Sequence, residues 1–172
     1  MKLRYSGIEY NDVVNGIGVC VSLFVQGCPH HCHGCFNIET WDFNGGQVIE
    51  DTEFKGHIIQ AISENGIQRN FSVLGGEPMC PENIKFVDNI ITAVRTAYPN
   101  IIIHLWTGYT FKELKKMSRK EPLVNSILEK INYLIDGPFI EEKKDLTLLW
   151  RGSTNQHIYK NNNGKFDKIK NL

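Results

Sequence analysis

The sequence has no excess of charge of either sign and no long hydrophobic run. Lysine plus arginine and aspartate plus glutamate number 19 each, so the formal net charge is zero. No basic field of the kind that attracts nucleic acid is therefore expected. No apolar stretch approaches the ~20 residues of a membrane-spanning helix, and residues 1–12 lack the apolar core of a secretion signal. These absences favour a cytoplasmic protein that binds neither nucleic acid nor a membrane.

Cysteine is also scarce, and its distribution does not suit a disulfide framework. The 172 residues include five cysteines, an odd number, and three of them are crowded into one short loop. Disulfide frameworks belong to oxidising compartments and pair cysteines that are spaced along the chain. Reduced thiols are therefore expected, with Cys20 and Cys80 as buried thiols without a chemical role.

The short loop contains Cys28, Cys32 and Cys35 at the spacing Cys-x3-Cys-x2-Cys, and no fourth cysteine joins them. Structural metal sites usually close all their coordination positions, whereas catalytic sites keep one open. On a four-iron cluster, three thiolates would leave one iron without a protein ligand. The loop also carries His30, His31 and His33. A Cys3His zinc site and three merely neighbouring thiols are therefore alternatives to an iron–sulfur site.

Hydrophobic periodicity predicts strands that alternate with helices. The predicted strands cover residues 19–25, 71–74, 101–106 and 131–135. The first predicted helix is capped by Asp51 or Thr52, and the others begin at about residue 81, at residue 111 and at Pro122. The inward face of the first helix carries Phe54, Ile58, Ala61 and Ile62. This alternation indicates a parallel sheet with right-handed crossovers, and the chain length suits one domain.

Each predicted strand is followed by a polar or glycine-rich turn. These turns are the cysteine loop, Gly75-Gly76-Glu77-Pro78, Thr107-Gly108-Tyr109 and Asp136-Gly137-Pro138. Sites of parallel sheets lie at the carboxyl ends of the strands, so we expect the four turns to share one rim. An eight-stranded barrel takes about 250 residues, so this chain can form only a partial, laterally open barrel. Its open side would suit a segment of another protein; an ordinary doubly wound sheet is the alternative.

Two motifs together resemble the radical S-adenosylmethionine (SAM) superfamily: the cysteine loop and the Gly75-Gly76-Glu77-Pro78 turn. More closely, the chain resembles the family that activates anaerobic (class III) ribonucleoside-triphosphate reductases. The segments that carry this resemblance are Val14-Asn15-Gly16-Ile17-Gly18, Leu23 to Cys28, Gly34-Cys35-Phe36-Asn37, Thr40-Trp41, Trp106-Thr107-Gly108-Tyr109, Asp136-Gly137-Pro138-Phe139 and Trp150 to Gln156. The resemblance implies one domain over residues 1–172, with a core at about 14–157. The polar end at 160–172 lies outside it, and Asn161 to Gly164 is predicted to be a turn or a frayed tail.

The resemblance implies an α/β fold of the radical SAM type, a partial and laterally open (β/α) barrel with a mostly parallel sheet. It implies a [4Fe-4S] cluster held by Cys28, Cys32 and Cys35, with SAM on the fourth iron. The implied enzyme is an oxidoreductase that cleaves SAM to methionine and a 5′-deoxyadenosyl radical, which takes hydrogen from a glycine of the reductase. The implied partners are this glycyl-radical subunit and a low-potential electron donor such as flavodoxin or ferredoxin. An activase of the formate-lyase type and a non-catalytic zinc module are the alternatives.

The resemblance also implies which residues contact SAM. They are Gly34, Cys35, Phe36, Gly75, Gly76, Glu77, Thr107 and Asp136. Glycines at 75 and 76 would let the backbone approach the methionine part closely, and Glu77 or a neighbouring carbonyl would accept from its ammonium group. The loop at 34–36 would border the adenine, mainly through its backbone. Thr107 and Asp136 would meet the ribose or the carboxylate, although such residues at strand ends also form caps and turns.

Several other side chains receive more general expectations. The three loop histidines are expected to face solvent, because the resemblance makes them unnecessary as ligands. Arg151 would bind the SAM carboxylate or the partner protein. Trp106 and Trp150 would belong either to the core or to the surface that meets the partner.

Overall fold

The computed structural model describes residues 2–169, which form one eight-stranded sheet and four α-helices. The strands are β1 (Lys2–Asp12), β2 (Cys20–Val25), β3 (Gln47–Glu50), β4 (Asn70–Gly75), β5 (Ile103–Trp106), β6 (Tyr133–Asp136), β7 (His157–Asn162) and β8 (Lys165–Ile169). The helices are α1 (Asp51–Ser63), α2 (Ile84–Ala97), α3 (Phe111–Met117) and α4 (Pro122–Lys130). The order of strands in the sheet is β3-β1-β2-β4-β5-β6-β7-β8.

The centre of the sheet is parallel and both margins are antiparallel. Strands β2, β4, β5 and β6 pair in parallel, so their carboxyl ends lie along the same edge. Antiparallel pairs join β1 and β3 to one side and β7 and β8 to the other. The expected α/β fold with a mostly parallel centre is confirmed. The sheet itself is not closed, since β3 and β8 are its two edges.

The helices pack on one face of this sheet. Side chains alternate between the two faces along a strand, and Ile103 and Leu105 of β5 join the hydrophobic core that also contains the buried residues of all four helices. The intervening His104 packs instead against Trp150 on the opposite face, with 5.3 Å between ring centroids. A doubly wound sheet would carry helices on both faces, so this layering does not fit that alternative.

The first helix has the predicted face but a different start. It buries Phe54, Ile58, Ala61 and Ile62, as expected from their spacing. The residue before the helix is Glu50, whose side chain makes no capping hydrogen bond to the helix. Asp51 is instead the first helical residue, where a negative charge favours the helix dipole. Its carboxylate lies 2.7 Å from Lys55 Nζ, one turn further along.

Four strands at the sheet margins were not predicted. They are β1, β3, β7 and β8, which are rich in charged and polar residues. Marginal strands bury little apolar surface, so their hydrophobic pattern is weak. The predicted turn is present at Asn163 and Gly164, which have φ of 53° and 88°. It joins β7 and β8 into a hairpin, not a frayed tail, and residues 170–172 lie outside the described part of the chain.

None of the helices within residues 2–169 has the length and apolar character needed to cross a membrane.

The sheet face opposite the helices is built around a buried histidine. His104 has no exposed surface and stacks on Tyr133 at 5.4 Å between ring centroids. Its Nε2 accepts a hydrogen bond from Ile17 N at 3.2 Å, and its Nδ1 lies 3.3 Å from Ser72 Oγ. The imidazole therefore acts as an acceptor toward the backbone that crosses this face, which requires that Nε2 stay unprotonated.

We expect this buried imidazole to make the fold sensitive to acid. Burial lowers the pKa of His104 to about 4, whereas the unfolded chain has a histidine pKa of about 6.5. Between these values the unfolded state binds a proton that the folded state does not, so stability falls as pH falls from about 6.5 to about 4. A shift of this size corresponds to roughly 3 kcal/mol.

Urea unfolding of the wild type and of His104→Gln at pH 7, 5.5 and 4 measures this effect. The glutamine amide oxygen can replace the Nε2 acceptor but does not titrate. The wild type should lose stability across the series, and the variant should lose about 3 kcal/mol less. Equal pH slopes in the two proteins would assign the acid sensitivity to other groups.

Candidate functional site

The four turns that follow the parallel strands lie together, as the sequence predicted. Gly76 N donates a hydrogen bond to Val25 O at 2.9 Å, and Glu77 N donates to Gly27 O at 2.8 Å. On the other side of the rim, Gly137 N donates to Tyr109 O at 3.1 Å. Backbone hydrogen bonds therefore connect neighbouring turns directly.

A cleft runs along this rim and is lined by all three loop cysteines. Its remaining lining residues are His30, Phe36, Asn37, Leu74, Gly75, Gly76, Glu77, Trp106, Thr107, Gly108, Gly137, Phe139, Trp150, Gly152 and Gln156. The structure thus brings the cysteines together with six of the eight residues expected to contact SAM. The other two, Gly34 and Asp136, do not line the cleft.

The cysteine loop is held in shape by its own backbone and by the segment that follows it. Cys28 N donates to Trp41 O at 3.1 Å, and Cys35 N donates to Cys32 O at 3.1 Å. His31 has a φ of 48° and stacks on Trp41 at 4.7 Å between ring centroids. The loop therefore curls back on itself and keeps its thiols on the side that faces the cleft.

Backbone amides interact with the three loop cysteines. Asn37 N donates to Cys35 Sγ at 3.4 Å. The amides of His30 and His31 act to lower the pKa of Cys28, and the amide of Phe139 acts to lower the pKa of Cys32. Amide hydrogen bonds to cysteine sulfur stabilise thiolates and adjust the potential of iron–sulfur clusters. This donor set fits a cluster that is bound by three thiolates.

Burial opposes ionisation of the same thiols when no metal is bound. It raises the pKa of Cys28 to about 11 and also raises the pKa of Cys32. Both groups are then protonated at neutral pH, so binding of a metal must displace protons. Within residues 2–169, no three His, Cys, Asp or Glu side chains are grouped closely enough to hold a single metal ion.

Glu77 is the most highly connected side chain of the rim. Its carboxylate is 1% exposed and accepts four hydrogen bonds. Oε1 accepts from Met79 N at 2.8 Å and from Thr107 Oγ1 at 2.7 Å. Oε2 accepts from Gly108 N at 2.7 Å and pairs with His30 Nε2 at 2.8 Å. One buried carboxylate thus joins the turns after β2, β4 and β5.

These contacts correct one expectation and qualify another. His30 does not face solvent: its side chain is 20% exposed, bonded to Glu77 and packed edge-on against Tyr109 at 4.6 Å. His31 and His33 are exposed, as expected. The Glu77 oxygens are already occupied by protein donors. Contact between Glu77 and the SAM ammonium group stays a prediction, and the carboxylate has a structural role of its own.

We expect Glu77→Gln to destabilise the protein by about 2–4 kcal/mol, because an amide supplies only one acceptor oxygen. Its NH2 group would face two of the four present donors and leave them without acceptors in a buried site. Urea unfolding of the protein before cluster assembly measures this loss. The matched control is Glu129→Gln on the exposed side of α4, which should change stability by less than about 0.5 kcal/mol. Equal effects at both positions would contradict the structural role of Glu77.

Thr107 and Asp136 both make contacts of the kind that strand-end residues use in turns. Thr107 Oγ1 donates to Glu77 and accepts from Tyr109 N at 3.1 Å. Asp136 is 2% exposed; its Oδ2 accepts from Phe111 N at 2.5 Å, and its Oδ1 lies 3.1 Å from His157 Nδ1. Asp136 therefore supports the start of α3 and the start of β7. Contact between Asp136 and SAM stays a prediction.

The glycines of the Gly75-Gly76 pair are needed for chain packing as well. Gly75 has a φ of 99°, and a Cβ there would lie 2.8 Å from Phe24 Cα in the neighbouring strand. A Cβ on Gly76 would overlap the carbonyl oxygen of Gly27. The absence of side chains lets this turn lie directly against the start of the cysteine loop.

One wall of the cleft was not predicted from the sequence. Trp106, Phe139 and Trp150 line it, and Trp106 Nε1 donates to Trp150 O at 2.7 Å. Gln156 closes this wall: its Oε1 accepts from Gly152 N at 2.8 Å, and its Nε2 donates to Gly137 O at 2.9 Å. The family resemblance included the segment Trp150 to Gln156 and was the one sign in the sequence that this segment matters. No residue spacing connected the segment to the four turns.

Comparison of the sequence with known proteins matches most of the chain to a family. Residues 14–159 match the family described as "4Fe-4S single cluster domain". Proteins named anaerobic ribonucleoside-triphosphate reductase-activating protein are similar over most of their length. The one from Pasteurella multocida is 39% identical over 92% of this chain and 98% of its own. Those from Vibrio cholerae and Escherichia coli K12 are 41% and 36% identical, over 87% and 86% of this chain and 92% of theirs.

The chain belongs to the anaerobic ribonucleoside-triphosphate reductase-activating protein family. The family that the chain resembled in its short segments between Val14 and Gln156 is therefore confirmed. Membership of this activating-protein family, together with the 4Fe-4S domain match, supports a [4Fe-4S] cluster with SAM as the cofactors.

Proposed function

We propose that this protein is a radical SAM oxidoreductase that generates the glycyl radical of anaerobic ribonucleoside-triphosphate reductase. The observation that carries the proposal is the convergence of three cysteines and three strand-end turns on one cleft, in a chain of the activating-protein family. Cys28, Cys32 and Cys35 would hold the cluster and leave one iron open to SAM. The open sheet supports the finer proposal of a partial, laterally open barrel of the radical SAM type.

The residues of the cleft would orient SAM and keep water away from it. When bound, the cluster and SAM supply the radical chemistry that acts on the reductase. The Gly75-Gly76 backbone can approach the methionine part without steric hindrance. Phe36, Phe139 and Trp106 provide apolar walls of the cleft. Exclusion of water by such walls protects a reactive species from side reactions.

The remaining participants are also proposals. A low-potential donor such as flavodoxin or ferredoxin would supply the electron, and the protein would act in the cytoplasm. The identity of the relatives favours the reductase over an enzyme of the formate-lyase type as the partner.

Anaerobic reconstitution with iron and sulfide, followed by reduction and addition of SAM, tests the proposal. We expect about four irons per chain, 5′-deoxyadenosine in stoichiometry with methionine, and a glycyl-radical signal by electron paramagnetic resonance when the reductase is present. A reduced cluster that leaves SAM intact even with the reductase present would contradict the proposed reaction. Tightly bound, colourless zinc in place of iron would favour the zinc module.

A further inference from the structure

Large apolar side chains are exposed beside the cleft. Val14 and Leu146 expose 71% and 75% of their surface, and Phe36 exposes 57%. Together with Trp150 they line a groove on the sheet face opposite the helices, which we call the entrance groove. Exposed apolar side chains concentrated at one place indicate a surface for binding another molecule.

The entrance groove is continuous with the cleft. Phe36, Leu74, Trp106 and Trp150 line both of them, whereas Val14 and Leu146 line the groove alone. A polypeptide that lies in the groove is therefore next to the cleft. Arg151 is the charged residue among those that line the groove, so an occupant would meet a mainly apolar surface.

The groove is fixed in position by the buried His104 and its neighbours. Asn15 O accepts from Ser72 Oγ at 2.5 Å, and Ile17 N donates to His104, so the segment at 13–17 is bound to β4 and β5. Trp150 packs on His104 and is bonded to Trp106 through its carbonyl oxygen. Two segments remote in sequence thus form one preformed apolar surface. Preformed surfaces bind without a large ordering cost.

We propose that the entrance groove docks the glycine-bearing segment of the reductase. The proposal rests on the proposed function: hydrogen transfer requires that the partner's glycine reach the cleft. The groove is the apolar surface that leads into it. A glycine-bearing segment has little side-chain bulk at the reacting residue, and apolar neighbours on either side of that glycine would pack on Val14, Leu146 and Trp150. This surface therefore recognises an extended, apolar segment of the partner.

Introduction of a negative charge at the groove margin tests the proposal with little risk to the fold. Val14→Asp, Leu146→Asp and the double variant alter side chains that are mostly exposed and do not line the cleft. Ile67→Asp is the matched control, since Ile67 is 52% exposed and lies between α1 and β4, away from the groove. Thermal unfolding confirms that all variants fold. Three quantities are measured: SAM binding to the reduced cluster, the reductase concentration that gives half-maximal glycyl radical, and the oligomeric state.

Each groove variant should bind SAM normally but need about 10-fold more reductase, as expected for the loss of roughly 1.4 kcal/mol of docking energy. The double variant should need more, and Ile67→Asp should match the wild type. An unchanged reductase requirement overturns the docking surface but leaves the proposed function intact. Weakened SAM binding would assign these residues to the cofactor site, and a changed oligomeric state would assign the groove to a second copy of this chain. Either result contradicts the proposal, and failure of the wild type to produce the radical rejects the proposed function itself.

Discussion

Cys32→Ala should abolish cleavage of SAM while leaving the protein folded. Cys32 is the middle thiol of the loop, is partly exposed and lines the cleft. Its side chain contributes nothing to the hydrophobic core, so its removal leaves the fold in place. A cluster with two remaining protein thiolates is labile, because loss of a direct ligand exceeds the 10–100-fold effects of altered outer-shell partners. We expect more than about a 100-fold loss of 5′-deoxyadenosine formation.

Cys20→Ala is the matched control for this variant. Cys20 is a fully buried thiol at the amino end of β2, at the opposite end of the strand from the cysteine loop. Its loss should leave a small cavity that costs on the order of 1 kcal/mol, with iron content and SAM cleavage unchanged. Iron and sulfide analysis, circular dichroism and the 5′-deoxyadenosine assay distinguish the two variants. Full SAM cleavage by Cys32→Ala would refute the assignment of this cysteine as a ligand.

Gly75→Ala should lower stability, because alanine suits neither the backbone conformation nor the space at this turn. The residue has a φ of 99°, which costs a side-chain-bearing residue about 1–3 kcal/mol. The added Cβ would also press on the backbone of Phe24, 2.8 Å away, in a strand that cannot move freely. A combined loss of about 2–4 kcal/mol follows, equivalent to a fall of roughly 5–15 °C in Tm for a chain of this size.

Gly56→Ala is the control that separates this steric effect from the general effect of glycine replacement. Gly56 lies in the middle of α1, is exposed, and has no atom within 4 Å of an added Cβ. Alanine in a helix interior should raise stability by about 0.5–1 kcal/mol. Differential scanning calorimetry should therefore show Tm changes of opposite sign. A Gly75→Ala variant with unchanged Tm would mean that the turn relaxes without strain.

Features that depend on neighbouring residues were predictable from the sequence. The helix at 111–117 begins with a capping box between Thr110 and Glu113, three residues apart, and Pro122 begins α4 as expected. The buried strands β2 and β4 to β6 have nearly continuous apolar runs, and their order with the helices implied a parallel centre. Because parallel strands end at one edge, the meeting of the four turns followed directly. The spacing of the three cysteines is equally local, and the family that the chain resembled in this loop and in its other short segments is confirmed.

Features that depend on pairs of remote residues were decided by the tertiary structure alone. His30 and Glu77 are 47 residues apart, and their contact turned a histidine expected to face solvent into a half-buried link between two turns. Trp106 and Trp150, 44 residues apart, form a wall that no spacing predicted. The marginal strands form because partners lie beside them, since their own residues carry little apolar pattern. Sequence periodicity reports on a residue's neighbours along the chain, whereas burial, hydrogen-bond partners and the groove beside the cleft arise only when distant segments pack together.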